Sequence, residues 1–144
     1  ITGIDISEVS INKAKDETKN YGDKVELKVD NCEKTNFQDN QFDIVYGLGI
    51  LHHLEFSKCL DEISRILKPG GINIYTVRHT DDGDYKKGIH RGEDLYEIDG
   101  FIIHFFSEKT IQNLMNGYKN LSIEYFEEGS FPRKLFFVCN KKIN

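Results

Sequence analysis

Apolar positions along this chain change their period several times, and each change marks an element. Ile1-Thr2-Gly3-Ile4-Asp5-Ile6 reads as the end of a buried strand. Ser7 follows as a helix N-cap with Glu8 in the first turn. The spacing predicts a helix from Glu8 to about Asn20, stopped by Gly22. Val25-Glu26-Leu27-Lys28-Val29 alternates apolar and polar, the period of a half-buried strand. Asn36 to Gln41 is polar and turn-rich. Phe42 to Gly47 is more continuously apolar, so it reads as a strand buried on both faces.

The second half changes period again. Cys59, Leu60, Ile63, Ile66 and Leu67 recur at helical spacing and predict a helix from about Phe56 to Lys68. Pro69 cannot continue that helix, and Gly70-Gly71 permits a tight exit into a strand from Gly71 to Val77. From Arg78 to Gly100 the pattern dissolves into Asp, Gly, Lys and His. Residues 78–106 therefore read as an insertion or long loop on the substrate side. Ser107 caps a helix to about Asn116. Leu121–Glu128 and Lys134–Asn140 follow as strands, joined by Gly129-Ser130-Phe131-Pro132-Arg133 in an antiparallel hairpin. This order is α/β, a doubly wound sheet with an antiparallel finish. Such sheets bind ligands at the carboxyl ends of their parallel strands.

Composition narrows the classes. The 144 residues, 38% hydrophobic and 30% charged, suit one soluble domain over residues 1–144. A net charge of −5 with no basic stripe argues against nucleic acid as a partner. No apolar run approaches the roughly 18 residues of a membrane span. Cys32, Cys59 and Cys139 show no CxxC and no metal-ligand spacing. They read as reduced thiols, which implies a cytoplasmic protein without a metal site. Residue 1 is not Met and already sits in a strand, so the chain reads as a piece of a longer protein.

Asp5, Asp30 and Gly47-Leu48-Gly49 fall at the carboxyl ends of successive expected strands. An acid at the first end can accept hydrogen bonds from a ribose diol. An acid at the second can accept from an exocyclic amine, with Asn31 and Cys32 offering backbone N–H groups beside it. The same residues also have plain roles, Asp5 as a helix-start helper and Asp30 as a turn residue. "ITGIDIS", "VDN", "FDIVYGLGILHHL" and "EISRILKPGG", in this order and spacing, resemble the class I S-adenosylmethionine-dependent methyltransferases of the small-molecule type. The likeness covers roughly residues 1 to 77. It implies a Rossmann-like sheet and S-adenosyl-L-methionine as cofactor, with S-adenosylhomocysteine as product. It also implies cofactor contacts at Asp5, Ile6, Asp30, Asn31, Cys32, Gly47 and Leu48, and a small-molecule methyl acceptor. The tail "DGFIIHFFSEKTIQNLM" resembles the tellurite-resistance branch of the same enzymes.

The family's glycine-rich loop, E/D-x-G-x-G-x-G, does not occur in this sequence. The resemblance therefore implies that the central first strand of the sheet is absent from this chain, that the domain is N-terminally incomplete, and that this chain alone is inactive. An exposed strand edge would encourage pairing with another chain, including a homodimer. His52 and His53 are the candidate catalytic residues, one of them as substrate contact or base. Tyr46 reads as core, and His79, His90, Arg91 and His104 as possible anion contacts. The acidic runs Asp81–Asp84 and Glu124–Glu128 read as solvated edges. Two other readings are a nucleotide-binding oxidoreductase, where Asp5 would hold an NAD ribose, and a non-catalytic methyltransferase-like binding module. Asp30 and the antiparallel finish count against the former.

Overall fold

The computed structural model describes residues 1–130 and 132–144; Phe131, in the link between the last two expected strands, lies outside them. The chain forms two compact units, Ile1–Phe37 and Gln38–Asn144.

The first unit is a β-α-β piece. Strands β1 (Thr2–Asp5) and β2 (Glu26–Val29) pair in parallel, from Thr2↔Glu26 to Asp5↔Val29. Helix α1 (Glu8–Thr18) crosses between them. Ser7 caps it as expected, its Oγ accepting from the Ser10 N–H at 3.2 Å. The helix stops two residues early, and Lys19–Lys24 continues as a 3-10 turn. Gly22 breaks it with φ of 54°.

The second unit is built on strand β4 (Leu67–His79). Strand β3 (Phe42–Gly47) lies parallel on one side of it. On the other, β9 (Arg133–Lys142) runs antiparallel and carries β8 (Tyr118–Glu128) beyond it. The expected antiparallel finish is therefore present, with strands longer than the hydrophobic pattern marked. Helix α2 (Phe56–Ile66) turns Phe56, Cys59, Leu60, Ile63 and Ile66 inward, all buried. Phe56 meets Tyr75 of β4 edge-on, ring centres 5.5 Å apart. Each such side chain contributes roughly 1.5–3 kcal/mol on burial.

Pro-Gly-Gly does not end the helix. Helix α2 already stops at Ile66, and β4 begins at Leu67. Phe42 pairs with Leu67 and Ile44 with Ile72, so the residues between form a bulge inside the pairing. Gly70 takes φ of 77° there. A Cβ on Gly71 would lie 2.9 Å from the Lys68 carbonyl oxygen, so this position needs glycine. The helix end is closed from far along the chain. The buried Lys142 ammonium donates to the carbonyls of Ser64 and Leu67, each at 2.7 Å, and to Asn40 Oδ1 at 3.2 Å.

Three other expectations are corrected. Strand β3 is not buried on both faces: Ile44 and Tyr46 are 56% and 63% exposed, so Tyr46 is not core. Among the described residues β3 pairs only with β4, and its other edge is open. Residues 78–106 are a loop only over 80–88. They hold β5 (Ile89–Gly92), β6 (Leu95–Ile98) and β7 (Phe101–Phe106), an antiparallel meander whose last strand joins β4 in parallel. Asp99-Gly100 makes the second turn with φ of 51° and 82°, both positive, as a two-residue hairpin loop requires. Nor is Asp82 a solvated acid, because it is 5% exposed. Helix α3 (Glu108–Leu114), capped by Ser107 as expected, packs beneath with Ile111 fully buried. No described helix is long and apolar enough to cross a membrane.

Candidate functional site

Parallel pairing of β1 with β2 sets two carboxylates at neighbouring carboxyl ends. The link is direct, because the Asp30 N–H donates to the Asp5 carbonyl at 3.1 Å. The two side chains are spent differently. An ionised carboxylate offers about four acceptor positions. Among the described residues Asp5 takes the Ser7 N–H on Oδ1 at 2.7 Å. Asp30 takes at least three donors, the N–H groups of Asn31 and Asn36 and the Asn36 side-chain amide. Asp5 thus offers the more acceptor capacity for a diol, while Asp30 mainly organises its own loop. Ile6, beside Asp5, is 74% exposed and offers an apolar face. Asn31 is exposed, its side chain accepting from the Glu33 N–H, and Cys32 is half-buried.

In the second unit the chain leaves β3 through Gly47-Leu48-Gly49. The Gly49 N–H donates to Thr76 Oγ1 of β4 at 2.7 Å, which pins this segment. Gly49 takes φ of 73°, and Leu48 stands 57% exposed. A short 3-10 turn over Leu51–His53 follows and gives the two histidines different surroundings, although their ring centres lie 4.2 Å apart. His52 is buried; desolvation first, then electrostatic contributions from His53 and Arg78, pull its pKa down to about 3. Its Nδ1 is buried without a hydrogen-bond partner. His53 instead lines a cavity of about 370 Å³. Its Nδ1 lies 3.0 Å from the Ile102 carbonyl oxygen. A carbonyl only accepts, so Nδ1 carries the hydrogen, and a neutral ring then leaves a lone pair on Nε2.

That cavity sits at the carboxyl end of β4, where Arg78 also faces it. Arg78 is compensated. It donates to Asp82 through Nε at 3.2 Å and Nη2 at 2.5 Å, and to Asp84 at 2.9 Å. Burial opposes its charge, but these carboxylates outweigh burial and raise its pKa. Asp82 mirrors this: burial would raise its pKa, yet Arg78 and two backbone N–H groups hold it below the usual carboxylate value. One of those N–H groups belongs to Lys134, at 2.7 Å, so the pair also anchors the start of β9. Arg133, the residue before it, lines the cavity and forms no ion pair with any described residue; Asp99, in the β6–β7 turn, also lines it and forms none either.

Residue-type reading names His53 but misses Arg78, Asp82, Asp99 and Arg133. The Asp-Gly pair at 99–100 is the available signal, since it marks a hairpin where composition suggests a loop. His90, Arg91 and His79 are engaged locally: His90 with the Glu93 carbonyl, Arg91 with Glu97, and His79 with the Asp81 N–H and the Phe136 ring. His104 stacks on Phe106, and desolvation lowers its pKa.

A profile described as a methyltransferase domain matches residues 1–75. The chain belongs to the methyltransferase domain family. Its fold is that of the class I S-adenosylmethionine-dependent enzymes. A SAM-dependent methyltransferase structure from Methanosarcina mazei superposes with a TM-score of 0.80 at 24% identity, covering 99% of this chain and 81% of that one. The Burkholderia thailandensis 1,6-didemethyltoxoflavin-N1-methyltransferase, solved with its substrate and S-adenosylhomocysteine, also gives 0.80, at 15% identity over 99% of this chain and 61% of that one. Among curated proteins, the glycine/sarcosine/dimethylglycine N-methyltransferase of Actinopolyspora halophila is 27% identical over 89% of this chain and 23% of its own length. The sterol 4-C-methyltransferase strm-1 of Caenorhabditis elegans is 32% identical over 58% of this chain and 26% of its own. The chain thus spans about a quarter of the length of these two curated relatives.

Proposed function

We propose that this chain supplies the adenosyl-binding and acceptor-binding parts of an S-adenosylmethionine-dependent methyltransferase acting on a small molecule. The observation that carries the reading is the pair of carboxylates at adjacent strand ends, with Asp5 taking only the Ser7 N–H among the described residues. Asp5 holds the ribose diol, Asp30 takes one donor from the adenine amine, and Ile6 covers the ring. Backbone at Asn31 and Cys32 borders the base, and Gly47 and Leu48 border the methyl-transfer path. When bound, S-adenosylmethionine supplies a sulfonium methyl group and leaves as S-adenosylhomocysteine, the bonding electron pair staying on sulfur. Positioning of donor and acceptor accounts for roughly 7–11 kcal/mol in such reactions, so a long catalytic apparatus is not required.

His53 is the base of this reading. Its Nε2 lone pair, fixed by the Nδ1 bond to Ile102, accepts the proton that the acceptor's nucleophilic atom releases as it bonds to the methyl carbon. His52 packs and stays neutral.

Titration of adenosine and S-adenosylhomocysteine into the isotope-labelled chain, followed at the Ile6 and Asn31 amides, tests the assignment. Both ligands shift these amides, 2′-deoxyadenosine binds more weakly than adenosine, and Asp5→Ala weakens all three tenfold or so. No response at millimolar ligand, or equal affinity in the Asp5→Ala chain, overturns it.

A further inference from the structure

Resting on that reading of the cavity as the acceptor site, we propose that it takes a small zwitterion: a carboxylate held by Arg133, an ammonium facing Asp99, and a short apolar tail. Five of its lining residues carry or exchange charge, yet their charges are not interchangeable. Arg78 is satisfied by Asp82 and Asp84, with Lys87 also near Asp84, so this group has no net demand for a ligand. Arg133 and Asp99 remain, one cation and one anion; Glu128 lies across from Arg133 in the β8–β9 pairing, but neither Arg133 nor Asp99 forms an ion pair within 4.0 Å with a described residue.

A ligand entering between them strips water from both. A neutral acceptor would leave both charges uncompensated, and a simple anion would satisfy Arg133 but face Asp99 with a like charge. A simple cation fails in the opposite way. A molecule carrying both charges compensates each. Ile98, Ile103 and Phe101 form the apolar remainder of the wall. Phe101 is 66% exposed and stands with its ring centre 6.2 Å from that of His53. An aliphatic tail covers this surface. The volume of about 370 Å³ lies at the small end of ligand cavities, which suits a molecule of amino-acid size.

The backbone at both charged residues is held, while both side chains are exposed. Arg133 opens β9, whose next residue is tied to Asp82 through the Lys134 N–H. Asp99 occupies a two-residue hairpin turn between β6 and β7.

Leucine, 4-methylpentanoate and 3-methylbutylamine share one aliphatic frame and carry both charges, the carboxylate alone and the ammonium alone. Each is titrated into the labelled 144-residue chain and read at the amides of Asp99, Gly100 and Lys134. Leucine is expected to bind about tenfold or more tighter than either single-charge analogue. Arg133→Gln weakens leucine and 4-methylpentanoate but not 3-methylbutylamine. Asp99→Asn, which tolerates the same positive φ, weakens leucine and 3-methylbutylamine but not 4-methylpentanoate. Equal binding of leucine and 4-methylpentanoate, insensitivity to either substitution, or no response from any of the three overturns the proposal. Adenosine binding at Ile6 and Asn31 is read separately. Its loss with leucine binding intact sinks methyl transfer and leaves the zwitterion cavity; its retention without leucine binding does the reverse.

Discussion

Replacing Asp82 with asparagine exchanges one carboxylate oxygen for an amide nitrogen and keeps the volume, which makes it a sharp probe of the network behind the cavity. Asp82 sits 5% exposed and uses all four acceptor positions: Oδ1 takes Arg78 Nη2 and the Asp84 N–H, Oδ2 takes Arg78 Nε and the Lys134 N–H. An amide keeps one oxygen with two acceptor positions and turns its NH2 group toward the other two donors. Whichever way the substituted amide is turned, one buried Arg78 N–H and one part-buried backbone N–H lose their acceptor. Each orphaned group costs about 1–3 kcal/mol, and breaking a buried pair from one side costs about 3–5 kcal/mol by direct comparison. Both routes lead to a loss of about 4 kcal/mol, a large part of the roughly 5–15 kcal/mol that holds a domain folded. Asp84 still pairs with Arg78, so the low end applies if the arginine re-centres on it. Urea unfolding of the chain and of Asp82→Asn measures the difference, and leucine titration of the folded variant measures the cavity. Loss of stability with weakened leucine binding is expected, because the Lys134 anchor that places Arg133 is gone. A destabilisation below about 1 kcal/mol would refute the claim that Asp82 is saturated and buried.

Lys142→Met leaves the carbonyls of Ser64 and Leu67 without their donor and should cost about 2–4 kcal/mol in urea unfolding; a neutral result would mean that water closes the end of α2 equally well. His52 has a folded pKa below its unfolded value of 6.5, so its contribution is complete above pH 6.5. Stability should fall by about 1.4 kcal/mol per pH unit from pH 6.5 down toward 3, with His104 adding in the same direction; His52→Gln should remove one proton's worth of that slope, and an unchanged slope contradicts a buried neutral ring. Gly88→Ala places a Cβ 2.1 Å from the Glu97 carbonyl oxygen at φ of 75°. Amide exchange across β5 and β6 should accelerate, with a stability loss of about 1–3 kcal/mol, and unaltered protection would contradict the close approach.

What can be read from residue order is whatever a short window decides. Ser7 and Ser107 cap helices because a hydroxyl reaches an N–H three residues on, and both caps are where the pattern puts them. Asp5 and Asp30 are legible as strand-end acids for the same reason, since a strand stops where its alternation stops. The bulge at Lys68–Gly71 is not legible. Pro-Gly-Gly after a helix looks like a stop signal, and only pairing with β3 shows that the strand has already begun. The burial of β3 is misread because apolar composition reports a preference, whereas exposure of Ile44 and Tyr46 depends on which neighbours pair with it.

The charged residues show why the cavity, of all features, is hidden in the sequence. Asp81 to Asp84 is an acidic run by composition, and an acidic run is ordinarily solvated. Asp82 escapes that fate through Arg78 in the preceding strand and Lys134 at the far end of the chain, and only the second of these follows from strand register. The same β8–β9 register sets Glu128 across from Arg133, yet no ion pair within 4.0 Å forms between Arg133 and any described residue. Pairing removes Arg78 from the ligand's reach electrostatically and leaves Arg133 and Asp99. A binding surface in this chain is therefore defined by subtraction: the charges that the fold does not consume, on strand ends and turns, are those left to recognise a molecule. Asp5 follows the same rule in the other unit, where Asp30 takes at least three donors of its own loop and Asp5, among the described residues, takes one.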